Sequence, residues 1–164
     1  MKSLTLVLGG ARSGKSSHAL EIAFTYQHVL FIATAQAWDA EMRHRIDVHK
    51  TERPVHWGTL ESPQNVGVAL SQSDYPAECV VLDDMTLLAS NVILALGDDV
   101  DTPTAEKAVL AETEKLLDAL DAIAADVVIV SNEVGLGIVP ATKLGRVYRD
   151  ALGRANQKLA RAAD

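Results

Sequence analysis

Short apolar runs recur along the chain at residues 4–8, 29–33, 80–82 and 127–130, and stretches of mixed character separate them. The runs are apolar at nearly every position, not at alternate ones, as strands covered on both faces are. The stretches between them take a helical period. Residues 15–26 follow the first run, and residues 39–50 place Asp39/Arg43 and Glu41/Arg45 at i,i+4 spacing. Thr102-Pro103 predicts an N-cap with proline at the first helical position, opening a long helix whose Leu116, Leu120 and Ile123 share a stripe.

Strands alternating with helices at this spacing predict a mostly parallel sheet wrapped by helices, an α/β fold. The 164 residues suffice for one hydrophobic core, and no repeat or linker divides them, so a single domain over residues 1–164 is expected. Such sheets bind ligands beyond the carboxyl ends of their strands. Here those ends are Gly9-Gly10, Thr34-Ala35-Gln36, Asp83-Asp84 and Ser131-Asn132-Glu133. Each turns polar or glycine-rich where its apolar run stops.

Composition acts mainly by exclusion. Apolar residues make up 48% and charged residues 23%, which is ordinary for a globular chain and argues against disorder. A net charge of −7 argues against a general nucleic-acid binder, though a local cluster of donors still suits a small anion. The lone Cys79 stands beside Val80, Val81 and Leu82; it reads as core and forms no internal disulfide or multi-cysteine metal site. No apolar run approaches the length of a membrane span, and the N-terminus lacks a secretory pattern. A reducing, cytoplasmic setting is expected.

The strongest chemical signal is Gly9-Gly10-Ala11-Arg12-Ser13-Gly14-Lys15-Ser16, which fits G-x-x-x-x-G-K-[ST] between a predicted strand and a predicted helix. The glycines let backbone N–H groups turn toward phosphate oxygens, and the helix adds its positive end. Lys15 supplies a cation for the outer phosphates, and the Ser16 hydroxyl is placed to ligate magnesium. The fold expected is accordingly a P-loop NTPase of the RecA-like kind. An acidic residue ending a strand is the second magnesium organiser in this class, and Asp83 and Asp84 compete for that part.

Simple phosphoryl transfer needs no histidine nucleophile. The helix over residues 39–50 nevertheless sets Arg45 and Ile46 near one face with His49, and Arg53 follows before Pro54. Flanking cations would hold a triphosphate and oppose ring protonation, while the helix C-terminus favours the imidazolium. Pattern alone favours a surface or packing role for His49. His18, His28, His44 and His56 have no supporting constellation, and no pair has zinc-site spacing. Asn132 and Glu133 can equally cap a turn, and the face Arg146, Arg149, Gly153, Asn156 reads as a solvated face or as a contact to a ligand or subunit.

Taken together these residues resemble the bifunctional adenosylcobinamide kinase / adenosylcobinamide-phosphate guanylyltransferase family of cobalamin synthesis. The resemblance is carried by residues 9–16, by Ala33-Thr34-Ala35-Gln36, and by Asp39, Glu41-Met42, Arg45-Ile46, His49 and Arg53. It continues through Asn91, Ser131-Asn132-Glu133-Val134-Gly135, Gly137-Ile138-Val139-Pro140, Gly145-Arg146, Arg149-Asp150, Gly153 and Asn156-Gln157.

The resemblance implies that ATP or GTP phosphorylates adenosylcobinamide. GTP then guanylylates a histidine, here His49, with loss of pyrophosphate, and GMP passes to the substrate phosphate to give adenosylcobinamide-GDP. It implies nucleotide contacts from Gly9, Gly10, Ala11, Arg12, Ser13, Gly14, Lys15 and Ser16, then from Thr34, Ala35 and Gln36. Further contacts fall on Lys50, Thr51, Glu52 and Arg53, and on Glu61 and Asp83. Mg2+ would sit on Ser16 and Asp83, and the enzyme would be a homo-oligomer with no nucleic-acid partner. Leu88 stands where relatives often have tryptophan, and relatives usually continue into another strand where this sequence stops at Asp164. Two rival readings remain: a monofunctional kinase of another small alcohol with an idle His49, and a nucleotide-binding regulatory module without transfer chemistry.

Overall fold

The computed structural model describes residues 1–36, 50–51 and 53–164. Its element order is β1 (Leu4–Gly9), α1 (Lys15–Ala23), β2 (Val29–Ala33), β3 (Gly58–Glu61), α2 (Val66–Ser71), β4 (Cys79–Asp83), α3 (Met85–Leu94), α4 (Thr102–Asp121), β5 (Asp126–Asn132) and α5 (Lys143–Ala162). The strands form one parallel sheet in the order β1-β5-β4-β2-β3. β5 therefore separates the strand leading into the glycine loop from the strand ending at Asp83. This is the expected P-loop NTPase arrangement.

The runs of β2, β4 and β5 are covered on both faces as expected, whereas β1, at the sheet edge, leaves Thr5 and Leu8 exposed. Val29, Phe31, Val81, Val128 and Val130 face α1 with Ala19, Leu20, Ala23 and Trp57. Leu30, Ile32, Val80, Leu82, Val127 and Ile129 face the other layer, with side chains from α2 to α5. Cys79 lies in the first cluster, fully buried, and burial pushes its thiol up to about 12.

Register sets the functional rim. Gly9 pairs with Asn132, while Ala33 pairs with both Asp83 and Glu61. The ends of β1 and β5 are thus level with each other, as are those of β2, β3 and β4, and β5 runs two residues past β4 because Leu82 pairs with Ile129. At the opposite end, Asp164 bonds Leu4 through both its backbone N–H and its carboxylate. Asn156 meanwhile bonds the Asn132 carbonyl. Since α5 runs down β1 from Asn156 to Asp164, the part before Asn156, about 20 Å of helix, projects past the strand ends. α4 runs beside it in the same direction, tied by Lys143 to the Asp99 carbonyl and by Lys158 to Glu114.

Several elements differ from the sequence expectation, among them the unforeseen α2 and an α1 that ends at Ala23, short of Tyr26. β3 and α3 carry no usable period: β3 is a four-residue edge strand, and α3 is apolar almost throughout because it is buried. The cap of α4 is shifted by one residue. Asp101, not Thr102, accepts from Thr104 N–H, and Thr102 is the first helical residue. Of the helix expected over residues 39–50, only Lys50 is described; Lys50 and Thr51 are helical. The Asp39/Arg43 and Glu41/Arg45 pairs fall outside the described residues.

Candidate active site

Between β1 and α1 the chain must reverse and present its amides upward. Gly14 takes φ 87° as the N-cap of α1, a left-handed conformation that glycine adopts without strain, and Arg12 has φ 55°. At Gly9 a Cβ would stand 3.0 Å from Ser13 Oγ, so the loop folds tightly on its first glycine. The Lys15 ammonium donates to the Gly10 carbonyl at 2.6 Å, curling back over the loop it belongs to. Loop residues 10–14 are exposed, leaving the cradle open to a ligand.

Ser16 begins the helix beside Lys15, and its hydroxyl donates to Asp83 Oδ1 at 3.3 Å. That separation is informative. Adjacent ligands of an octahedral magnesium ion, each about 2.1 Å from it, lie about 3 Å apart. Two hard oxygens so placed fit neighbouring positions, with phosphate oxygens and waters completing the shell. No group of three or more His, Cys, Asp or Glu able to hold a metal occurs among the described residues.

Asp84 faces elsewhere. Its Oδ1 accepts from Leu87 N–H at 2.7 Å and caps α3, and its Oδ2 receives Asn132 Nδ2 at 3.4 Å. Burial, aided by the neighbouring Asp83 charge, lifts its carboxyl to about 6 against the pull of Leu87 N–H, Lys15 and Thr86. A network surrounds it. Asn132 also bonds Thr86 Oγ1 through its backbone and its amide, and the Tyr148 hydroxyl donates to the Thr86 carbonyl at 3.3 Å. Burial and the Asp84 charge raise the Tyr148 phenol.

Thr34 is fully buried just past β2, and its hydroxyl donates to the Asp84 carbonyl while accepting from Asp84 N–H. Asn91 reaches from α3 to the carbonyls of Thr34 and Pro63, at 2.9 and 3.0 Å. Together these bonds clamp the turn after β2 to the end of β4. Reading the residues one by one misses this clamp; the signals in the sequence are the places of Thr34 and Asn91 in the family resemblance, which do not show that they meet.

On the far side of the rim, Lys50 Nζ lies 2.6 Å from Glu61 Oε1 at the end of β3. The Arg53 guanidinium lies 4.1 Å above the Phe31 ring. Burial lowers its pKa, and the charges of Asp83 and Glu61 raise it again. The structure therefore brings Gly9–Ser16, Thr34, Asp83, Glu61, Lys50 and Arg53 to one edge of the sheet, with Ala35, Gln36 and Thr51 adjoining in sequence. His49 and Glu52 lie outside the described residues.

A family model for "Cobinamide kinase / cobinamide phosphate guanyltransferase" matches residues 5–164. The bifunctional adenosylcobalamin biosynthesis protein CobU of Escherichia coli is 42% identical, over 98% of this chain and 92% of its own. Its counterpart in Salmonella typhimurium shows the same identity and coverage. The bifunctional adenosylcobalamin biosynthesis protein CobP of Pseudomonas aeruginosa is 40% identical over 94% of this chain and 86% of its own. A phosphate loop on a five-stranded parallel sheet, matched nearly end to end, places the chain in the cobinamide kinase / cobinamide phosphate guanyltransferase family, as a bifunctional enzyme with both transferase activities.

Proposed function

We propose that the rim runs two reactions on one acceptor, first phosphorylating cobinamide from ATP or GTP, then transferring GMP from GTP through His49. The carrying observation is the meeting of the Gly9–Ser16 loop with Asp83, where Ser16 Oγ and Asp83 Oδ1 are 3.3 Å apart. In the kinase step the acceptor hydroxyl forms a bond to the γ-phosphorus, the bond to the β,γ-bridging oxygen breaks, and the hydroxyl proton leaves to solvent or a carboxylate. Lys15 and the loop amides hold the phosphoryl oxygens as charge shifts onto the departing diphosphate. Bound Mg2+, ligated by Ser16 and Asp83, supplies charge neutralisation at the phosphates.

In the second reaction a neutral His49 nitrogen forms a bond to the α-phosphorus of GTP and pyrophosphate leaves. The acceptor phosphate then attacks the same phosphorus, and the P–N bond breaks to release the imidazole, giving cobinamide-GDP. Splitting the displacement this way gives each half a competent leaving group. Support comes from the residues on either side of His49. Gln36 lies just past β2, and Lys50 and Arg53 are tied to Glu61, Phe31 and the Asp83 charge.

A product assay separates the two halves. With cobinamide, ATP, GTP and Mg2+, the wild type should form cobinamide phosphate and then cobinamide-GDP. Lys15→Ala should lose about a hundredfold or more of the first activity. His49→Ala should keep the first and lose the second, and continued cobinamide-GDP formation by that variant would leave only a kinase with an idle histidine. A wild type that binds nucleotide and makes neither product would be a regulatory module.

A further inference from the structure

A cavity of about 430 Å³ opens above the strand ends between α4, α5 and the turn after β5, on the sheet face opposite α1. It is lined by Glu106, Glu133, Arg149, Asp150, Gly153 and Gln157, among others. Several of these belong to the resemblance yet have no part in handling the nucleotide. We infer that this cavity is the acceptor site, holding an amide-bearing arm of cobinamide beside the phosphate loop; the inference rests on the bifunctional reading above.

Position is the first argument. Glu133 N–H donates to the Gly9 carbonyl at 3.0 Å, so the cavity wall is bonded to the first residue of the phosphate loop. Asn156, which also lines it, is buried and fixed on both sides, accepting from Ser131 Oγ and donating to the Asn132 carbonyl. The projecting half of α5 forms the outer wall. A ligand seated there lies next to the nucleotide without occupying its cradle.

Charge is the second argument. Three carboxylates (Glu106, Glu133, Asp150) stand against two guanidiniums (Arg149, Arg154), and Arg149 is paired with Asp150 at 2.9 Å. A lining with one carboxylate in excess suits a neutral polar ligand and disfavours a second triphosphate. Carboxylates and side-chain carbonyls accept from a carboxamide NH2, while guanidinium and Gln157 N–H groups donate to its carbonyl. The chain leaving the cavity wall at Gly135 then exposes Leu136, Ile138 and Val139, at 92%, 97% and 62%. Such an apolar strip at a polar pocket suits a large, partly apolar ring that the cavity itself is too small to hold.

Gly153 makes the site testable. A Cβ there meets nothing within 4 Å, so a larger side chain would start in open space at the cavity wall. In steady-state phosphorylation of cobinamide, Gly153→Leu should raise the cobinamide KM about tenfold or more relative to the GTP KM. Gln157→Trp, at an exposed position that any folded protein tolerates, should shift the same ratio in the same direction. Ratios within about twofold of wild type for both variants would overturn the assignment. So would a lost self-association on sedimentation with the ratio unmoved, which would make the cavity a contact between copies. A wild type unable to phosphorylate cobinamide would instead sink the underlying functional reading, so the two failures are distinguishable.

Discussion

Asp83 and Asp84 are neighbours with opposite environments. Asp83 ends its strand beside Ser16, whereas Asp84 turns under the rim to cap α3 and meet Asn132. The cost of burying Asp84 has a testable sign. Its carboxyl is raised from 3.8 to about 6, so the folded chain holds this proton more tightly than the unfolded chain across that window. The contribution is therefore best at the low end and is lost as pH rises through the folded value. Asn at this position still caps the helix but never ionises. In urea melts without divalent ions, Asp84→Asn should gain on the wild type between pH 4 and 7, by up to about 3 kcal/mol at about 1.4 kcal/mol per unit. Parallel stability curves would show that Asp84 is solvated. Pattern alone leaves the two carboxylates equivalent and only the family resemblance singles out Asp83, because what separates them is a set of bonds to Leu87, Asn132 and Thr34, the last two from distant parts of the chain. The glycine loop, by contrast, is legible directly, since its chemistry is local.

At the scale of elements, the apolar runs are legible because burial makes them continuous, and α4 because burial sets Leu116 and Leu120 on one stripe, though Ile123, expected on that stripe, lies past the helix end at Asp121. β3 and α3 are not legible: one is too short, and the other is buried on most sides. α2 has a different determinant, close approach. A Cβ on Gly67 would stand 2.3 Å from the Lys115 carbonyl oxygen of α4, and Glu112 from that same helix accepts from Val66 N–H at the start of α2. Gly67→Ala should therefore cost about 2 kcal/mol or more by forcing the helices apart. Gly153→Ala, facing open space in α5, should stabilise by up to about 1 kcal/mol. Denaturant melts of both variants check the pair, and equal effects would contradict the packing described.

Over the whole molecule, net charge is a poor guide to the ligand. The chain carries −7, yet Lys15, Lys50 and Arg53 converge with the loop amides on one rim. Parallel register gathers the strand ends there, levelling Gly9 with Asn132 and Ala33 with Asp83 and Glu61. That convergence was foreseeable from the polar residues ending each apolar run. The cavity beyond β5 was not, because it depends on how far α4 and α5 overshoot the sheet, which no local pattern records. The central claim, covalent GMP on His49, is tested most directly by giving the wild type GTP labelled at the α-phosphate, without acceptor, and assaying the denatured protein. The account predicts acid-labile, alkali-stable label that maps to His49, is absent from His49→Ala and is released when cobinamide phosphate is added. An active wild type that carries no such label, or equal label on His49→Ala, would contradict it.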